Sequence, residues 1–91
     1  MFNAFTGTIQ GRVQGVGFRY FSKGCADSLG LNGWVRNLPD GSVEVFASGP
    51  KSTLEQFMQR LEEGPIGSRV VATSFQWLDV TEKSNGFEIR D

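Results

Sequence analysis

The chain has no histidine and a single cysteine, Cys25, in 91 residues. These two shortages remove whole classes of chemistry. Zinc sites draw on several cysteine and histidine ligands, so the usual sets are excluded. Ser-His-Asp and Cys-His nucleophilic arrangements require an imidazole and are excluded with them. A lone cysteine forms no internal disulfide, which fits a reducing compartment. Long apolar runs are also missing. Hydrophobic residues are 38% of the chain, but no run approaches the ~20 residues of a membrane span. The N-terminal stretch Met1-Phe2-Asn3-Ala4-Phe5-Thr6 has neither a basic n-region nor a long apolar h-region. No secretory signal is expected from it. The expectation is a soluble, cytoplasmic protein.

An excess of charge of either sign is lacking too. The net charge of −1 gives no bulk attraction to nucleic acid. The distribution is less even than the sum. Residues 1–38 hold Arg12, Arg19, Lys23 and Arg36 against Asp27, a local +3, while residues 39–91 hold five basic and nine acidic side chains, a local −4. A small anion is favoured on the N-terminal part.

What that part contains is Gly11-Arg12-Val13-Gln14-Gly15-Val16-Gly17-Phe18-Arg19. It reads as a strand running into a glycine-bearing loop and then a helix start. Such a loop turns backbone N–H groups toward one point, and the helix start adds unpaired N–H groups and the positive end of its dipole. Arg19 adds a permanent, forked cation. The candidate anion cradle is therefore the backbone of Gly15, Val16, Gly17, Phe18 and Arg19, sized for a phosphate. It is not a dinucleotide fingerprint, because Tyr20 stands where the third glycine would be. It is not a Walker A loop, because no Gly-Lys-Ser/Thr follows. On spacing alone, a tight strand-to-helix turn with a surface arginine remains an equal reading.

The rest of the chain supplies the frame. Residues 3–13 predict a strand with Phe5, Ile9 and Val13 on one face. Residues 19–29 predict a helix with Gly30 at its C-terminal cap. Residues 32–38 and 42–48 predict two strands joined by Pro39-Asp40-Gly41, with Gly41 in the left-handed conformation. Ser52-Thr53-Leu54-Glu55 reads as a capping box opening a helix over 53–63, with Leu54, Phe57, Met58 and Leu61 on one face. Residues 69–79 predict a strand in which Val71, Thr73, Phe75 and Trp77 alternate, and 86–90 a short last strand. Trp34, Phe46, Phe75 and Trp77 are expected in the core or half-buried in the sheet. The order β-α-β-β-α-β plus a terminal strand predicts a single α+β domain over 1–91. Its expected form is a ferredoxin-like sandwich: a four- to five-stranded, mostly antiparallel sheet with two helices on one face. That fold hosts many functions.

Asn37 is the second candidate site residue. Asparagine is disfavoured in strands, yet it ends the second predicted one. Locally, a turn-initiating amide bonded to nearby backbone explains it better than a functional one, and spacing does not say whether it reaches Arg19. A nucleic-acid role has little support, because Val43-Glu44-Val45-Phe46-Ala47 lacks the aromatic-basic motif of RNA-recognition domains.

Beyond spacing, the chain resembles the acylphosphatase family. The resemblance rests on Gly11-x-Val13-Gln14-Gly15-Val16-Gly17-Phe18-Arg19, Ala26, Leu29-Gly30-Leu31-x-Gly33-Trp34-Val35-x-Asn37 and Asp40-Gly41-Ser42-Val43-Glu44. Gly49-Pro50, Gly64-Pro65 and Gly86-Phe87-Glu88-Ile89-Arg90 extend it over nearly the whole chain. It implies hydrolysis of an acyl phosphate to a carboxylate and inorganic phosphate. It also implies that Arg19 binds the phosphoryl group, Asn37 places the attacking water and the loop amides cradle phosphate. Neither metal nor cofactor is implied, and a monomer is expected at this size. The alternatives are a domain that binds phosphate or acyl phosphate without turnover, and an interaction domain on the same fold.

Overall fold

The computed structural model describes residues 3–79 and 85–91. Met1 and Phe2, which open the N-terminal stretch read above, lie outside the described residues. The elements follow the order β1 (Asn3–Arg12), α1 (Phe18–Leu29), β2 (Asn32–Asn37), β3 (Val43–Gly49), α2 (Lys51–Glu63), β4 (Arg69–Leu78) and β5 (Phe87–Arg90). The strands form one sheet in the order β4-β1-β3-β2-β5. Three of its pairings are antiparallel, and β2–β5 is parallel. This is the expected ferredoxin-like α+β arrangement.

Period-two alternation decides the buried face of β1. Phe5 and Ile9 are buried, as is Val13 just past the end of β1, and so are Val43, Val45 and Ala47 on β3. The helices contribute Phe18 and Ala26 from α1, and Leu54, Phe57 and Leu61 from α2. Phe5 sits at the centre, with ring contacts to Phe57 at 6.1 Å and Phe75 at 5.3 Å. Phe57 in turn meets Phe87 edge-on at 5.7 Å, which ties β5 to α2. Buried aromatics of this kind each remove 150–250 Å² from water, in round terms, and dominate a small core. Cys25 packs against this cluster, and burial pushes its thiol above the ordinary value of 9.0.

Three expectations are corrected. The capping box does not cap α2. The helix begins two residues earlier, at Lys51, with extended Pro50 as the N-cap and no side-chain cap. Proline suits that boundary because its ring fixes φ near the value a helix entry needs. Ser52 then lies inside the first turn, where its hydroxyl cannot act as the cap. The second correction is on β4, where Val71 is 70% exposed. The β1–β4 register shifts at Gln10/Gly11, so that Gln10 faces Ala72 and Gly11 faces Val70. Val71 is the extra residue of that irregularity, and Val70 takes its place against the core. The third is Trp77, which is 42% exposed. It stands on the edge strand β4, with one face toward Phe5 and the Lys51 ammonium over its ring at 5.5 Å.

The C-terminal end of α1 and the β2–β3 turn match the sequence reading, while α1 begins one residue earlier than expected, at Phe18. Gly30 caps α1 in the left-handed conformation and its N–H reaches the Ala26 and Asp27 carbonyls. The turn closes through Leu38 N–H to Ser42 O at 2.9 Å and Gly41 N–H to Leu38 O at 3.1 Å.

Candidate active site

The site lies where β1 leaves the sheet. Pairing of β1 with β3 ends at Ile9–Val43, and β1 then continues beside β4 alone as far as Arg12. The chain turns through residues 13–17 and enters α1. Gly15 and Gly17 sit at φ 76° and 78°. A Cβ at either would meet no atom within 4 Å, so glycine is required there by backbone conformation and not by space. Two left-handed residues so close together fold the loop back over the helix start.

Gly17 is the N-cap of α1, with no side-chain cap and no acidic residue in the first turn. The first helical hydrogen bond runs from Phe21 N–H to Gly17 O at 2.9 Å. The N–H groups of Phe18, Arg19 and Tyr20 precede it and have no intrahelical acceptor. A cavity of about 130 Å³ opens there, lined by Val13, Gly15, Gly17, Phe18, Arg19, Tyr20 and Asn37. Arg19, on α1, and Asn37, at the end of β2, are therefore brought to one cavity, although β3 lies between β1, which leads into α1, and β2 in the sheet. Val16 does not line it; its side chain packs against the core.

Arg19 enters the cavity from the first turn of α1 and is held from behind. Its Nη1 donates to Arg90 O at 3.3 Å and faces the Asp91 carboxylate at 3.8 Å. Its Nε and Nη2 have no protein partner among the described residues, which leaves most of the fork for a ligand. Asn37 presents a buried Oδ1 that has no partner among the described residues. An unsatisfied buried acceptor costs free energy unless water or a ligand fills it.

Sequence reasoning missed two contributors. One is the end of β5, whose contact with Arg19 spans 71 positions and leaves no local signal. The other is Gln14, whose Nε2 donates to Leu38 O at 2.9 Å and to Ser42 O at 2.8 Å. Gln14 stood in the quoted stretch but carried no role. Metal ligands are not grouped: no cluster of three or more Cys, Asp or Glu suited to an ion occurs among the described residues. Nor is any described helix long and apolar enough to cross a membrane.

The acylphosphatase family model matches residues 5–89, which takes in every element described above except the ends. The chain belongs to the acylphosphatase family. Its acylphosphatase relatives include one from Thermus thermophilus, 54% identical over 76% of this chain and 78% of that protein. Another, from Salinibacter ruber, is 45% identical over 90% of this chain and 86% of that protein. Among solved structures, an acylphosphatase from Bacillus subtilis superposes with a TM-score of 0.95 at 38% identity, covering 100% of both chains. The acylphosphatase frame and the glycine-loop cavity thus coincide in one molecule.

Proposed function

We propose that this chain hydrolyses the carboxyl–phosphate bond of acyl phosphates, with Arg19 and Asn37 as its catalytic residues. The observation that carries the reading is the convergence of three features on one cavity: the Arg19 fork, the open first turn of α1 and the unsatisfied Asn37 amide.

The chemistry needs little more. An acyl phosphate is a mixed anhydride whose leaving group, a carboxylate, is a stable anion at neutral pH. No general acid is required. Phosphoryl transfer through a loose transition state depends on charge stabilisation and alignment. Arg19 and the amides of Gly15, Val16, Gly17, Phe18 and Arg19 bind the phosphoryl oxygens and stabilise the charge. The side-chain amide of Asn37, on the wall of the same cavity, hydrogen-bonds the attacking water and fixes its approach. The water oxygen bonds to phosphorus, the phosphorus–oxygen bond to the acyl group breaks, and the bonding pair leaves with the carboxylate. The water proton passes to a phosphoryl oxygen, in keeping with the missing imidazole. Arginine and backbone dipoles take the electrostatic part that Mg²⁺ plays in kinases.

The protein acts on a small molecule, as a cytoplasmic monomer formed by a single domain, without nucleic acid or membrane. The near-zero net charge and the lone cysteine support that part of the reading.

Asn37→Ala tests the division of roles. It should lower kcat while leaving KM and the affinity for inorganic phosphate, measured by calorimetry, nearly unchanged. Loss of phosphate affinity equal to that of Arg19→Ala would move Asn37 into the cradle. Normal turnover would make it a turn residue.

A further inference from the structure

We infer that Gln14 is a positioning residue for the hydrolysis: its side-chain amide sets the distance between the phosphate cradle and the Asn37 amide. The inference rests on the proposed roles of the loop and Asn37, and it assigns what holds the two together.

The need for such a group follows from the topology. The cradle hangs from β1 and Asn37 ends β2, and these strands are not neighbours, because β3 lies between them. The ladder that joins β1 to β3 stops at Ile9–Val43, five residues before Gln14. From there to α1 no backbone hydrogen bond connects the loop to the β2–β3 turn among the described residues. The two bonds from Gln14 Nε2 are the link. One goes to Leu38 O, on the residue that follows Asn37, and the other to Ser42 O, across the turn. A single amide nitrogen thus grips both sides of the turn that carries Asn37, from a residue adjacent to Gly15.

The same carbonyls show that the fold does not depend on this grip. Leu38 O already accepts from Gly41 N–H at 3.1 Å, and Ser42 O from Leu38 N–H at 2.9 Å. Each uses its second lone pair for Gln14. Removing the amide therefore orphans neither acceptor, and the turn keeps its own closure. What is lost is registration between two halves of a site, where a displacement of about 1 Å costs on the order of a hundredfold in rate.

The experiment is a cycle of Gln14→Ala, Asn37→Ala and the double variant in the full chain. It reads kcat, KM and the inhibition constant for inorganic phosphate, with thermal unfolding as the control. Gln14→Ala should lower kcat by roughly ten- to a hundredfold with the phosphate constant unchanged. The double variant should turn over within about twofold of Asn37→Ala alone, because both changes disable one function. Gln14→Met keeps the volume without the donor and serves where Gln14→Ala is unstable. The inference is overturned by unchanged kcat in the Gln14 variants, by parallel loss of phosphate affinity, or by full additivity in the double variant. Asn37→Ala turning over at the native rate refutes the water-positioning role itself, whatever Gln14 does, and takes this inference with it.

Discussion

The fold contains two strand–helix–strand units, β1-α1-β2 and β3-α2-β4, and they enter their helices differently. In the first, five residues, 13–17, separate strand from helix; in the second, Pro50 alone does. Both helices start without a side-chain cap and without an acid in the first turn. Both therefore point unpaired N–H groups and a positive dipole end outward. Only the first is backed by a folded loop, an arginine and an unsatisfied amide around one cavity. At α2 the nearest cation, Lys51, lies over the Trp77 ring instead. A bare helix start is common property of the two units. The length and glycine content of the entry loop make one of them a candidate site.

The most severe way to break this comparison is to remove the cation that one unit has and the other lacks. Arg19→Ala and Arg19→Lys should each cost about 3 kcal/mol or more of transition-state stabilisation, read as kcat/KM. Lysine keeps the charge but not the fork, and a point charge cannot hold two phosphoryl oxygens in parallel. The fold should survive, because the side chain is partly exposed and its polar contacts among the described residues are with Arg90 and Asp91. Native-like kcat/KM in Arg19→Lys would show that charge alone suffices. Phosphate should raise the unfolding temperature of the native protein but not of Arg19→Ala, since it would bind only the folded site.

A milder test places the same charge on both helix starts. Gly17→Asn and Gly17→Asp both tolerate the left-handed backbone at φ 78°. They differ in one negative charge beside the cradle. Gly17→Asp should bind phosphate more weakly than Gly17→Asn by roughly 2–4 kcal/mol, the scale of two unit charges a few ångströms apart near a protein surface. At α2 the corresponding pair is Pro50→Asn and Pro50→Asp. There the added charge meets the bare dipole with no anion to repel, so the aspartate variant should be more stable by about 0.5 kcal/mol. Phosphate binding should not change. Equal phosphate affinity in the two Gly17 variants would mean that the anion does not sit at this helix start.

The sequence made the repeating parts of this contrast legible and left the joining parts dark. Alternation of Phe5, Ile9 and Val13 and the spacing of Leu54, Phe57 and Leu61 follow from local periods, and all six are buried. Gly15 and Gly17 were readable because left-handed backbone favours glycine. The entry to α2 was misread because Ser52 and Glu55 form a valid local cap, yet Pro50 places the boundary ahead of them. Val71 was misread because a register shift between strands is a property of the pairing, not of either strand. Gln14 reaches Leu38 and Ser42, and Arg19 reaches the end of β5, only through the sheet order, so no window of the sequence contains these contacts. The bridging amide is the least visible, since a glutamine in a loop has no propensity signal of its own.

The smallest effect is expected at the turn that joins the two units. Asp40 is exposed, and its Oδ1 accepts from Ser42 N–H at 2.9 Å and from the Ser42 hydroxyl at 2.5 Å. These two bonds, the hydroxyl's first and the backbone's second, hold its carboxyl below the ordinary value of 3.8. A carboxyl depressed on folding stabilises the native state above its unfolded pKa and loses that contribution as pH falls through the folded value. The advantage of the native protein over Asp40→Asn in unfolding temperature should therefore be present at about pH 6 and should shrink toward about pH 2. Asparagine can accept the same bonds but does not titrate, which isolates the charge. The gain is small because the group is open to solvent and screened by salt. It also belongs to the turn and not to the cradle, so phosphate affinity at neutral pH should be the same in both proteins. An advantage that grows on acidification would mean that the carboxyl is destabilised by folding and that the Ser42 bonds do not control it.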